Sequence, residues 1–146
     1  MLMTGRCSRY PLMRFLALVH KEPDSCYGVS FPDLPGCASA GDTFDEALTN
    51  AVDALSGHIR MMEADGEATP TPRTIEALNS DPDFVDDMKG SIISAVPLVR
   101  DRGSTTRINV SLDLGLLEAI DGLAKQRSQT RSAFLASAAR RELLDS

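Results

Sequence analysis

A chain of 146 residues with 42% hydrophobic content carries enough apolar mass for one ordinary domain or two small ones, which excludes disorder throughout. No run approaches the roughly 18 apolar residues a membrane span needs, and Arg6, Arg9 and Arg14 interrupt the N-terminus where a signal peptide would need a clean apolar stretch, so a cytosolic protein with no membrane partner is expected. The net charge of −6 is unevenly spread: residues 1–103 hold nine Lys and Arg against sixteen Asp and Glu (−7), and residues 104–146 hold six against five (+1). An acidic body suited to a basic partner and a tail that tolerates phosphates are implied.

Residues 1–10 show no periodicity and read as a loose leader, with Met3 and Met13 as candidate internal starts. Cys7, Cys26 and Cys37 are odd in number and lack CxxC spacing, so neither a disulfide framework nor a zinc site is indicated. Met13 to His20 is a short apolar run after Pro11 and before Pro23, the pattern of a buried strand. In Cys26 to Phe31, Tyr27, Val29 and Phe31 alternate with Gly28 and Ser30, the period of a strand covered on one face. Cys37 to Ala40 predicts a third strand before a Gly41-Asp42 turn. Then the period changes. Thr43 to Glu46 has the form of a capping box, and behind it Leu48, Ala51, Val52, Leu55, Ile59 and Met62 make an apolar stripe that must lie on a sheet. That helix is expected to end near Gly66. Arg73–Asn79 and Pro82–Lys89 read as short helical pieces, and Ser91–Val99 as one more strand, with Pro97 placing it at an edge or marking its end.

A polar, glycine-containing linker is expected at 100–104, between a body at 11–99 and a smaller unit at 105–146. In that unit Ile108, Val110 and Leu112 alternate with Arg107, Asn109 and Ser111. Two helices follow, one behind Asp113 with Leu116, Leu117, Ile120, Leu123 and Ala124 as its stripe, the other behind Thr130 with Phe134, Leu135, Ala138 and Leu143. One strand and two helices in so few residues cannot bury their apolar faces alone, so a second copy is needed. TRINVSL, a helix, and then SQTRSAF opening another helix resemble a ribbon-helix-helix DNA-binding domain. That resemblance implies a homodimer whose paired strands form an antiparallel ribbon in the major groove, with Arg107, Asn109 and Ser111 reading bases and Thr130, Arg131 and Ser132 holding a backbone phosphate. The sequence departs from the family at Ser128, in a turn where Gly is frequent, and at Gly115 and Gly122 within the first helix.

The body holds a second resemblance. From Met13 to about Glu76, around the turn FPDLPGC, the following GDT and an acidic helix start, it is similar to the N-terminal domain of HicB-type antitoxins. Together the two resemblances imply an α+β protein: a partial ribonuclease-H-like domain (antiparallel meander, long helix, returning strand) followed by a ribbon-helix-helix domain. They also imply an antitoxin that neutralises a small basic HicA-type mRNA-cleaving toxin by occlusion and represses its own operon at a two-fold-related operator. Tyr27, Phe31, Asp33, Leu34 and Pro35 are the expected toxin contacts, and assembly into a dimer of dimers is a further implication.

An enzyme reading has less support. Asp24, Asp33, Asp42, Asp45 and Glu46 are the carboxylates near one end of the expected sheet, yet the strands MRFLALVH and CYGVSF carry no acid from which a two-metal nuclease site would be built. His20 and His58 have no evident nucleophile partner. No catalytic residue, metal or cofactor is therefore expected, and the alternatives are a stand-alone regulator with a ligand-sensing body or, with less support, a metal-dependent nuclease.

Overall fold

The computed structural model describes residues 12–145. The expected leader and Cys7 lie outside the described residues. The chain divides into two compact units, one through Arg100 and one from Asp101.

The first unit is built on β1 (Arg14–Lys21), whose Phe15, Ala17, Leu18 and Val19 are all buried. A strand this apolar belongs inside a sheet, and β1 is flanked by β2 (Tyr27–Ser30) on one side and β4 (Ile92–Pro97) on the other, with β3 (Ala38–Gly41) outside β2. All three pairings are antiparallel, Val19 facing Val29 and Phe15 facing Val96. The returning strand β4 takes an edge, where Pro97 at its end removes no ladder hydrogen bond that the sheet needs.

Helix α1 (Phe44–Ala64) crosses the sheet and buries Leu48, Ala51, Val52, Leu55 and Ile59 of the expected stripe together with Ala47, while Met62 is only half-buried. Each large member of that stripe contributes about 1.5–3 kcal/mol of burial. The helix starts where the Glu46 amide donates to Thr43 Oγ1 at 3.1 Å, while the Glu46 carboxylate accepts from the Asp42 amide at 3.2 Å, one residue earlier than a standard capping box. It stops at Gly66, whose φ of 80° lets the Glu67 amide close on the Met62 carbonyl at 2.8 Å.

Gly41 is the last residue of β3, not part of a turn. A Cβ there would sit 2.4 Å from the Ala47 amide nitrogen, so the missing side chain lets α1 lie against the sheet. Two short helices follow, α2 (Ile75–Asn79) capped by Thr74 and α3 (Pro82–Met88) capped by Asp81. Arg73, expected in the first of them, stays outside because its backbone and side chain are both engaged elsewhere.

The second unit holds α4 (Leu114–Gln126) and α5 (Arg131–Asp145). Asp113 caps α4 by accepting from the Gly115 and Leu116 amides at 2.9 and 3.3 Å, and Thr130 Oγ1 accepts from the Ala133 amide at 3.1 Å. The turn between them passes through Ser128 at φ 55°, a left-handed conformation that explains why glycine is common in this turn. The expected strand at Arg107–Leu112 forms no ladder within the single chain, and every residue of it is exposed. A strand exists only against a neighbour, and this segment has none in its own chain.

Candidate functional site

The loop from Phe31 to Cys37 is two successive turns, closed by the Leu34 amide on the Phe31 carbonyl and the Cys37 amide on the Leu34 carbonyl, each at 3.1 Å. Gly36 at φ 89° supplies the left-handed residue the second turn needs. Phe31, Pro32 and Leu34 point inward and are buried, Leu34 to 1% exposure. Burial in apolar surroundings also pushes the Cys37 thiol up to about 11, so it is a packing residue and not a nucleophile.

What holds the loop's shape is an arginine forty residues away. Asp33 is nearly enclosed, its side chain 5% exposed, and it accepts from the Arg73 amide at 2.9 Å and from Arg73 Nε at 2.5 Å. The same guanidinium donates through Nη1 to Asp81 at 2.8 Å and lies 5.0 Å from the centre of the Phe84 ring. Asp81 is held below the usual carboxylate range first by the Asp83 amide and then by Arg73. One cation thus joins the loop to α2 and α3. The outcome is a rigid ridge with Pro35 and Gly36 exposed at its crest. Leu18, Ser30, Pro35 and Phe84 line a groove of about 220 Å³ on one flank. Leu34, Pro35, His58, Met61 and Met62 line a larger one of about 410 Å³ on the other.

Of the five expected contacts, the fold gathers Phe31, Asp33, Leu34 and Pro35 in this loop and leaves Tyr27 at the opposite end of β2, edge-on to Phe44 at 6.1 Å between ring centres. Phe31 and Leu34 shape the ridge from within, Asp33 anchors it, and Pro35 is its exposed part. Sequence reading missed Met61 and did not connect Arg73, read as part of a short helix, or Met62, read as part of the helix stripe, with this loop. The signal for Arg73 was present: it is the one Lys or Arg between Arg60 and Lys89, in a stretch dense in carboxylates. Among the described residues no three His, Cys, Asp or Glu converge as metal ligands. Glu46 is spent on the Asp42 amide and Asp33 on Arg73.

In the second unit Arg107, Asn109 and Ser111 are exposed, and so are the apolar residues between them, Ile108 at 73% and Val110 at 62%. At the start of α5, Thr130 is the cap and Ser132 is exposed. Arg131 forms a two-pronged pair with Asp121 of α4, both bonds 2.8 Å, which holds the Asp121 carboxyl below its ordinary range and raises Arg131.

No described helix is long and apolar enough to cross a membrane. Residues 15–139 match the family model described as the HicB_like antitoxin of bacterial toxin-antitoxin system. An uncharacterized 14.9 kDa protein from the rep-hol intergenic region of Haemophilus phage HP1 is 38% identical over 120 residues, covering 81% of this chain and 89% of the phage protein. Antitoxin HicB 1 of Photorhabdus laumondii is 38% identical over 60 residues, 41% of this chain and 39% of that one. Among solved structures, the antitoxin HicB of Burkholderia pseudomallei is 36% identical with a TM-score of 0.51, covering 90% of this chain and 99% of its own. With the family model spanning both units and a four-stranded antiparallel α+β body beneath it, the chain belongs to the HicB-like antitoxins of bacterial toxin–antitoxin systems.

Proposed function

We propose that the body at residues 11–99, within the first unit, is a partial ribonuclease-H-like domain that binds and masks a HicA-type mRNA-cleaving toxin. The tail at 105–146, after a linker at 100–104, is then a ribbon-helix-helix domain that represses the operon. The observation that carries this reading is the segment Arg107 to Leu112. It keeps an apolar row, Ile108, Val110 and Leu112, exposed behind a polar row, Arg107, Asn109 and Ser111. A second copy covers the apolar row by pairing the two segments into an antiparallel ribbon. The polar row then faces a major groove, where Arg is bidentate to guanine and Asn to adenine. The first amides of α5, at Arg131 and Ser132, have no intrahelical acceptor and with Thr130 suit a backbone phosphate. Arg131 contributes less charge there than its type suggests, because Asp121 already holds it.

The acidic body supports the toxin half of the reading, since its −7 complements a small basic protein and speeds encounter. Masking is occlusion by a rigid surface, so the protein acts without catalysis and without a cofactor, in the cytoplasm, as a homodimer that can pair further into a dimer of dimers. Growth rescue tests this. The small gene beside this one is induced with the full chain or with a fragment spanning 11–99, and rescue by both is expected. Failure of both against a demonstrably toxic neighbour overturns the antitoxin reading and favours a ligand-sensing regulator. On the DNA side, Arg107→Ala is expected to relax operator preference in a gel shift, and unchanged affinity for operator and random DNA would remove Arg107 from the readers.

A further inference from the structure

The larger groove beside the ridge has a composition that the fold does not account for. Its apolar lining is Leu34 and Pro35 from the loop and Met61 and Met62 from the end of α1, with His58 and the Arg73-bound Asp33 beside them, and Met61 is 68% exposed. An unbranched thioether left in water at the mouth of a groove is a soft surface that reshapes around an incoming side chain. The rim is acidic. Asp65 and Glu67 line it, and neither meets a cation among the described residues, whereas nearby Glu63 is answered by Arg100.

This acidity runs against the helix that carries it. The last turn of α1 contains no basic residue, and Asp65 is its C-cap. Negative charge at the negative end of a helix dipole destabilises the helix. Departures from a local rule of this kind are expected at functional or strained sites.

We propose that the groove formed by Leu34, Pro35, Met61 and Met62 docks a basic segment of the partner protein, one apolar side chain entering the groove and flanking Lys or Arg side chains reaching Asp65 and Glu67. This rests on the antitoxin reading and assigns the toxin's contact to one flank of the ridge. It also gives Pro35 its role as the wall of the groove, with the Asp33–Arg73 bond keeping that wall in place.

The test uses the full-length chain titrated calorimetrically with the small basic protein encoded beside it. Met61→Lys puts a like charge in the path of the basic segment, at an exposed position in the last turn of α1 that a cation suits. Asp65→Lys with Glu67→Lys reverses the rim. Glu22→Lys with Glu118→Lys makes the same net charge change at exposed sites elsewhere. The expected result is at least about tenfold weaker binding for the first two and less than about threefold for the third. The rim reversal should also raise the melting temperature of the free chain, since Lys there suits the helix dipole. Loss of binding together with gain of stability is a combination that a merely structural role would not produce. Two results overturn the proposal in distinguishable ways. If the wild-type chain binds and the Met61 and rim variants bind within about threefold of it, the groove is not the dock, although the antitoxin reading stands. If the wild-type chain does not bind at all, the antitoxin reading falls and the groove with it.

Discussion

Two residues of the first unit are fixed by space. Gly41 is required because any side chain would place its Cβ 2.4 Å from the Ala47 amide nitrogen, and the atom it meets is backbone, with no flexible tip to move aside. Gly41→Ala is therefore expected to cost about 1–3 kcal/mol, the range of overpacking in a tight site, and a chemical denaturation curve within about 0.5 kcal/mol of wild type would contradict it. Cys37 is enclosed at the end of the Phe31–Cys37 loop, 5% exposed, and its thiol is pushed up to about 11 by desolvation. The neutral form is thus the folded one. At pH 8 exposed Cys26 should react with a maleimide within minutes and Cys37 only on unfolding, read by mass spectrometry of peptides. Comparable labelling rates for the two would show that the loop opens in the native state. The sequence announced Cys37 as a reduced thiol, but its inertness came from neighbours that only the fold brings together.

At the scale of elements, periodicity made α1 and β1 legible, because their burial is set by residues three, four or two positions apart in the same element. The clasp on the loop was not legible, because Asp33 and Arg73 are forty residues apart and no local pattern links them. Arg73 is also why the first short helix begins at Ile75 and not two residues earlier. Arg73→Ala leaves the enclosed Asp33 carboxylate without its side-chain donor, and a loss of about 1.5–3 kcal/mol is expected. Arg73→Lys should recover less than half, since a single ammonium cannot serve Asp33 and Asp81 together. Full recovery by Lys would mean that charge, not the fork, does the work. In the second unit the bond between α4 and α5 adds a pH dependence. The Asp121 carboxyl is lowered by its bonds to Arg131, so its contribution is complete above the unfolded carboxylate value of about 3.9 and is lost as pH falls through the lower folded value. Helical signal from the second unit should therefore decline below about pH 4, and Arg131→Gln should flatten that decline. An unchanged acid limb in the variant would show that Asp121 is not its source.

On the scale of the whole molecule, the two units differ in what each can stabilise alone. The first surrounds β1 with apolar neighbours on both faces, and its core residues are fully enclosed. The second buries only Ile120 and Ala124 of α4 among its described residues, with nothing buried in α5 and Ile108, Val110, Leu112, Leu114 and Leu116 left in water. The charge divide at residue 103 and the polar stretch around Gly103 are what the sequence offers for expecting a second unit, and the alternation at 107–112 is what it offers for expecting a partner strand. The absence of a strand in the single chain follows from the same cause, since an edge without a neighbour has no ladder to form. If a second copy supplies that neighbour, folding of the second unit is a bimolecular event and its stability depends on protein concentration, whereas that of the first does not. Two melting transitions are therefore expected by calorimetry. One should stay fixed as the chain is diluted a hundredfold, and the other should fall by several degrees. Arg107→Ala should leave both unchanged, because its side chain lies on the polar row. Val110→Asp should abolish the concentration-dependent transition while sparing the other. A single transition independent of concentration, or a second unit that melts alike at every dilution, would show that it folds without its copy.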